Sequence, residues 1–359
     1  MGRYFSARSR YRSGIYCFRT FPRPTEIFWG LRIGAYLIRD WVKGSEIKDL
    51  FHVLNASLRV AIISRRLADY DVIHVHGLHN AALSAVCAAA PRGLPTIVTI
   101  HSYSDVVFRV KSQKKRVEII NKRLASASGI IHVSNTDRDR GLVLGVYLSG
   151  WDFVVHNGVS ESSETVLPWT ERNGFCFVGS LQERKRVSLV LEARRKNGSP
   201  GPTLVVAGSG PEARLVQQAD QSGEPVTWAG SVDNSTVRQI MRNACVLVVP
   251  SKSESFGLVY IEALMEGAAV IGYAPVINEF CKEMALEETE KRLLVPFDSG
   301  CDDSSLLAKL MSDTLSFRCC NEGEQAMNAL REKVVQHFGW KGIAEKMSSV
   351  YQKVVGNSL

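Results

Sequence analysis

The sequence predicts an α/β chain built as two parallel-sheet domains, and three observations carry that prediction. Its 359 residues amount to two or three ordinary domains, and 45% hydrophobic with 22% charged residues lets each half bury its own core. Short β-branched runs alternate with longer amphipathic stretches, the pattern of strands joined by crossover helices. The alternation pauses once, in the polar stretch 160–173 around Pro168, and then resumes. This composition excludes a disordered chain, a fibre and a polytopic membrane protein.

In order, residues 72–75, 96–100, 129–133 and 153–155 read as strands, with helices over 80–90 and 111–127. The second series has strands at 175–178, 204–207, 226–228, 246–249 and 270–273. Helices at 187–195, 212–220, 236–242 and 258–266 fall between them. The domains expected are 1–165 and 166–335, with 336–359 as a helix returning to the first. The longest apolar stretch, 80–100, is broken by Pro91, Arg92 and Pro95, so it does not span a membrane. Four arginines in residues 1–12 are followed by no apolar run, so they do not read as a secretory signal. Eight cysteines without a CxxC pair read as reduced thiols in a cytoplasmic protein, not as a disulfide framework or zinc site.

Charge is uneven. Residues 1–165 carry 23 Lys+Arg against 13 Asp+Glu, a balance of +10, and 166–359 carry 21 against 23, a balance of −2, which together make the net +8. That half is expected to face something anionic: a membrane surface, a phosphorylated substrate or nucleic acid. A merely solvated basic face is the other reading. The segment 27–42 strengthens the membrane reading, since Phe28, Trp29, Tyr36 and Trp41 accompany Arg32, Arg39 and Lys43, the last three on one helical face. A core helix with a snorkelling basic edge looks the same.

Ligands of open parallel sheets bind beyond the carboxyl ends of the strands. The residues there are His101, Ser134, Asn157-Gly158, Gly179-Ser180, Gly208-Ser209-Gly210, Gly230 and 251–257. The most informative run is Ser253-Glu254-Ser255-Phe256-Gly257-Leu258-Val259-Tyr260-Ile261-Glu262. Glu254 would lie in the loop after a buried strand, and Gly257 would open a helix whose free N–H groups suit a phosphate or a sugar hydroxyl. Glu262, two turns into that helix, could accept both hydroxyls of a ribose. A capped helix with two solvated glutamates is the plainer reading.

Glu254 to Glu262 resembles the E-x7-E signature, with its internal Phe-Gly, of the family 4 retaining glycosyltransferases, whose GT-B fold sets two Rossmann-like domains across a cleft. The resemblance covers residues 70–355. His132-Val133-Ser134, Asn157-Gly158-Val159, Phe177-Val178-Gly179 with Lys185, Gly208-Ser209-Gly210-Pro211, and His337-Phe338-Gly339-Trp340 with Tyr351 follow in the family's order. It implies that Glu262 holds the nucleotide ribose. Glu254 and the backbone of Phe256, Gly257 and Leu258 would hold the transferred sugar and diphosphate. Lys185 would neutralise the diphosphate, beside the turn formed by Gly179, Ser180, Gly208 and Gly210. His101 would reach the sugar from the other domain. The implied donor is a nucleotide diphosphate sugar, with neither cofactor nor metal, and the acceptor a saccharide or lipid-linked hydroxyl. Envelope polysaccharide or glycolipid synthesis is the expected setting, in the cytoplasm or at the inner membrane face, without nucleic acid. A sugar-nucleotide epimerase and a catalytically impaired sugar-nucleotide binder are the alternatives.

Three departures stand out. The family usually has Arg at Ser180 and Gly at Arg186, so a diphosphate contact is lost or passes to Arg184 or Arg186. Pro275-Val276-Ile277-Asn278 replaces the Gly-Gly before the acid at Glu279. By the resemblance the chain is expected to start near the second or third strand, with Gly14 to Phe18, lacking the family's opening strand and glycine-rich loop through a late start, a truncation or a replaced acceptor loop. A form extended by roughly 40–60 residues, one or two strand-helix units, is expected to be more stable. Other motifs count for less. Gly208 to Ala213 fits a dinucleotide fingerprint but follows its domain's second strand and contains Pro211. Asp137-Arg138-Asp139 opens a helix, where acids suit the dipole, so it is not read as a metal site. His74 and His76 alternate on one strand and read as packing or supporting residues.

Overall fold

The computed structural model describes residues 71–77, 94–103, 113–125, 127–147, 150–161, 166–198, 201–298 and 300–356. The chain divides into two compact units: Met1–Val155 with Ala344–Leu359, and His156–Ile343. The crossing therefore comes ten residues before the expected boundary at 165/166, ahead of the polar stretch 160–173 in which the sequence places it. The reason lies in the extended segment 156–159, which is claimed by the second unit. Val159 N–H donates to Phe338 O at 2.8 Å and Val159 bridges in parallel to Gly339. The Trp340 ring packs so tightly on Gly158 that a Cβ there would meet it at 2.5 Å.

The described sheet of the first unit runs β1 (Ile73–His76), β2 (Thr96–Ile100), β3 (Gly129–His132) and β4 (Trp151–Val154), adjacent in that order and all parallel. Every residue of β2 and β3 is buried, as apolar strands covered on both faces should be. Helix α1 (Gln113–Leu124) connects β2 to β3, and α2 (Asn135–Val143) connects β3 to β4. Ser134 caps α2 by accepting from Asp137 N–H at 2.9 Å. Val75, Val98, Ile100, Ile120, Leu124, Ile130 and Val146 form the core. The expected helix over 80–90, the opening residues 14–18 and the aromatic segment 27–42 lie outside the described residues.

The second unit holds six parallel strands: β5 (Phe175–Val178), β6 (Leu204–Ala207), β7 (Val226–Gly230), β8 (Val246–Val249), β9 (Ala269–Tyr273) and β10 (Leu294–Phe297). Their spatial order is β10-β9-β8-β5-β6-β7. Counted within the unit this is 3-2-1-4-5-6 from the β7 edge, so the order reverses between β5 and β8. Crossovers α3 (Val187–Lys196), α4 (Ala213–Gln221), α5 (Asn234–Asn243) and α6 (Leu258–Met265) match the expected helices to within two residues at either end. Beyond β9 come α7 (Ala274–Glu283), α8 (Glu288–Lys291), α9 (Ser304–Arg318), α10 (Asn321–Phe338) and α11 (Trp340–Gly356). Strand β10 escapes sequence reading because Pro296 interrupts a four-residue apolar run; at the sheet edge the missing N–H does no harm. Among the described residues no helix is long and apolar enough to cross a membrane.

Candidate active site

The reversal point between β5 and β8 brings two loops together. After β5, Gly179 has φ +153° with open space where a Cβ would stand. The next turn belongs to β6: Gly208 and Gly210 have φ +149° and +151°, and a Cβ on Gly210 would meet Leu181 O at 2.5 Å. Leu181 N–H donates to Ser209 O at 2.8 Å, and Glu212 N–H to Leu181 O at 2.9 Å. Glycine is required here by backbone lying on backbone, which explains this Gly-Ser-Gly without a dinucleotide. Ser180 is half-buried.

A 3-10 turn over Glu183–Lys185 follows. Lys185 is buried and its ammonium donates to the Glu254 carboxylate, which also accepts from Ser251 Oγ at 2.6 Å. Lys252 N–H donates to Arg184 O at 2.8 Å, sewing the β5 and β8 loops together. Lys185 and Glu254, 69 residues apart, thus form one buried charged pair at the reversal point. Arg184 is exposed and holds Ser253 O and Gln182 Oε1 only at 3.4 and 3.3 Å. Arg186 is different. It takes φ +57° and buries its guanidinium against Pro250 O, Cys301 O and Asp298 O at 2.5–3.0 Å, with Asp302 at 3.1 Å and the Phe297 ring below. Of the two arginines the sequence offers for an anion, Arg186 is therefore spent on the loop after β10, and Arg184 is the one left near solvent.

Helix α6 starts at Gly257, with φ +71° and no side-chain cap, leaving its first N–H groups without a side-chain acceptor. A Cβ at Gly257 would collide with the Tyr260 ring. Tyr260, fully buried, donates to Val249 O at 2.9 Å and accepts from Tyr273 N–H at 3.1 Å, bolting the ends of β8 and β9. Sequence reading passes over Tyr260, although it sits inside the signature run. The Phe256 side chain packs with Phe280, Phe338 and His156, so only its backbone can serve a ligand, while Leu258 is exposed. Glu262 is half-buried, and no side-chain hydrogen bond is made by its carboxylate among the described residues. Burial raises its pKa, Arg238 opposes that and Glu266 adds to it. An acid kept at such a cost is suited to receiving hydroxyl groups. Glu266 itself is structural, held by Arg242 at 2.8 Å and Arg238 at 3.3 Å.

Glu279 stands on α7, whose first turn contains Pro275, and meets His156 Nε2 at 3.1 Å. Proline removes an N–H that the absent Gly-Gly would have offered. Asp137 is buried on α2 beside Arg140 at 3.4 Å, and among the described residues no group of three His, Cys, Asp or Glu could hold a metal ion.

In the first unit, His101 follows β2 and is exposed, with its Nε2 3.1 Å from His76 Nδ1. His74 stacks on His76 at 4.2 Å and lies 2.7 Å from both the Thr99 and Tyr351 hydroxyls. Of the packing or supporting role expected for these two, the geometry shows the packing. Burial pushes His74 down to about 3, with His76 and His101 adding to the effect. The folded chain keeps it neutral while the unfolded chain protonates it near 6.5. Stability from this group is thus present above pH 6.5 and falls below it, by about 1.4 kcal/mol at pH 5.5. Urea titrations at pH 7.5 and 5.5 should show the wild-type advantage over His74→Gln shrinking by about that amount; a gap independent of pH would refute the neutral buried ring.

The model for glycosyl transferases group 1 matches residues 160–316, and that for glycosyltransferase family 4 matches residues 12–162. Together they cover residues 12–316 without a break. The chain belongs to glycosyltransferase family 4. Among relatives, the phosphatidyl-myo-inositol mannosyltransferase of Mycobacterium tuberculosis is 26% identical over 80% of this chain and 75% of its own length. The D-inositol 3-phosphate glycosyltransferase of Jonesia denitrificans is 25% identical over 79% and 72%. Sucrose-phosphate synthase from Thermosynechococcus elongatus has the same fold, with a TM-score of 0.64 and 21% identity over 87% of this chain and 81% of its own. Anabaena HepE, solved with UDP, gives 0.64 and 17% over 82% of each. This GT-B transferase therefore places its Lys185–Glu254 pair and Glu262 in the unit matched by the group 1 model.

Proposed function

We propose that this family 4 enzyme transfers a hexose, with retention, from a nucleotide diphosphate sugar to a hydroxyl of a glycolipid or polysaccharide precursor. The observation that carries the reading is the buried Lys185–Glu254 pair at the strand-order reversal, close in sequence to the Glu262 carboxylate, which makes no side-chain hydrogen bond among the described residues. Glu262 binds the ribose hydroxyls. Lys185, the uncapped start of α6 and the Gly179–Ser180 turn take the diphosphate, with Arg184 supplying the charge that Ser180 lacks. Glu254 holds the sugar. As the bond to the anomeric carbon breaks, the departing diphosphate accepts the acceptor's proton on the same face, so no protein base is needed. His101 enters through the family resemblance alone.

Two relatives act, by their names, on inositol-bearing acceptors, and HepE was solved with UDP, so the first assay pairs UDP- and GDP-hexoses with phosphatidylinositol vesicles. An anionic bilayer also suits the basic first half of the chain, whose 27–42 segment is the proposed contact. The expected product is an α-linked glycolipid, identified by its anomeric NMR coupling, formed at the same rate with EDTA present. Activity abolished by EDTA and restored by manganese would overturn the metal-free mechanism, and inversion would overturn retention. Epimerisation and donor binding without turnover, the alternatives, are not favoured by the relatives.

A further inference from the structure

We propose that Cys245 and Cys319 are a modification site, a dithiol that closes to a disulfide by exchange with a small-molecule disulfide and so fastens the end of α9 to the foot of β8. The two sulfurs are 3.4 Å apart although 74 residues separate them in sequence. Cys245 is buried directly before β8, its N–H donating to Gly174 O and its carbonyl accepting from Ala269 N–H. Cys319 is the partly exposed residue that ends α9. Their roles differ accordingly: Cys319 can be reached from solvent, and Cys245 is buried with its sulfur beside that of Cys319.

The electrostatics agree with this order. The hydrogen bond between the two sulfurs brings Cys319 down to about 7 against the effect of burial, with Arg318 and Arg172 assisting, while Cys245 is raised. Both guanidiniums are fixed by the backbone around the pair. Arg172 donates to Ala244 O at 3.1 Å and Glu266 O at 2.6 Å, and Arg318 to Gly267 O at 3.0 Å. Cys320, the obvious competitor, is occupied elsewhere: its thiol donates to Phe317 O at 3.0 Å and accepts from Gly323 N–H at 3.4 Å.

In the reaction, the Cys319 thiolate attacks one sulfur of the small disulfide, forming a mixed disulfide and expelling one thiolate. Cys245 then gives up its proton and attacks Cys319 Sγ, expelling the second thiolate. Two protein thiols are oxidised and one small disulfide is reduced to two thiols. Closing the 3.4 Å gap to the bond length of about 2.05 Å needs a shift of little more than an ångström.

The test is to treat the whole chain with oxidised glutathione, quench with acid and map peptides without reduction. Expected are a Cys245–Cys319 cross-linked peptide and a melting temperature higher by about 5 °C, reversed by dithiothreitol, because the bridge closes a long loop. Cys245→Ala should stop at a glutathione adduct on Cys319, and Cys319→Ser should leave Cys245 unmodified. A Cys319–Cys320 bridge, an unmodified Cys319, or a cross-link that leaves the melting temperature where it was would each overturn the proposal. None of these readouts depends on turnover, so they stand apart from the proposed reaction.

Discussion

Replacing Lys185 by Met should cost this enzyme both stability and activity, and a second substitution should separate the two losses. Lys185 and Glu254 are each about nine-tenths buried, so removing the ammonium leaves the Glu254 carboxylate in a poorly solvated place with Ser251 as a neutral donor. Breaking such a pair from one side destabilises by about 3–5 kcal/mol. In Lys185→Met/Glu254→Gln the uncompensated charge is gone, and stability should return to within about 1 kcal/mol of wild type, since isosteric replacement of a buried pair is often near neutral. Activity should not return. In the proposed reaction the ammonium faces charge that develops on the leaving diphosphate, and loss of one such group typically costs about 10²–10³ in turnover. Urea titration and kcat/KM on the two variants settle the matter. If the double variant regains activity along with stability, Lys185 serves only the fold.

Glu262→Gln should give the opposite signature, a protein at least as stable as wild type that no longer holds its donor. A carboxylate whose pKa is raised by burial favours protonation in the folded chain, so its charged form weakens the fold above that pKa. Neutral Gln removes this cost at pH 7.5, and the gain should fade as pH drops and wild-type Glu262 takes up its proton. Two hydrogen bonds from ribose hydroxyls to a carboxylate are together worth roughly 3 kcal/mol or more, so affinity should drop at least about a hundredfold. Calorimetric titration with UDP, beside thermal melts at pH 7.5 and 5, reads both effects. Undiminished affinity would remove Glu262 from the nucleotide site, and a large loss of melting temperature would make it a structural acid.

These variants test a site only partly visible in one dimension. Glu254, Glu262 and Gly257 announce themselves by local spacing, because a loop, a helix start and two turns of helix fall within ten residues. The boundaries of β2, β5, β6 and β8 were equally legible, since a largely buried parallel strand is a short run of apolar residues closed by polar or turn-forming ones. Strand β10 was not legible, because edge strands relax that pattern and admit Pro296. Nor was the crossing at Val155/His156, which is decided by what segment 156–159 pairs with, at Phe338 and Gly339.

By itself the sequence determined the α/β class and two parallel-sheet units, consequences of periodicity and short-range spacing, while the family and its signature acids were legible through the resemblance of the Glu254–Glu262 run. The tertiary structure alone decided which charges meet. Lys185 found Glu254 across 69 residues and Cys245 found Cys319 across 74, and Arg186 turned away from the proposed diphosphate site to the carbonyls after β10. Reversal of strand order between β5 and β8 brings together loops that the chain keeps far apart, and burial there fixes which charge answers which.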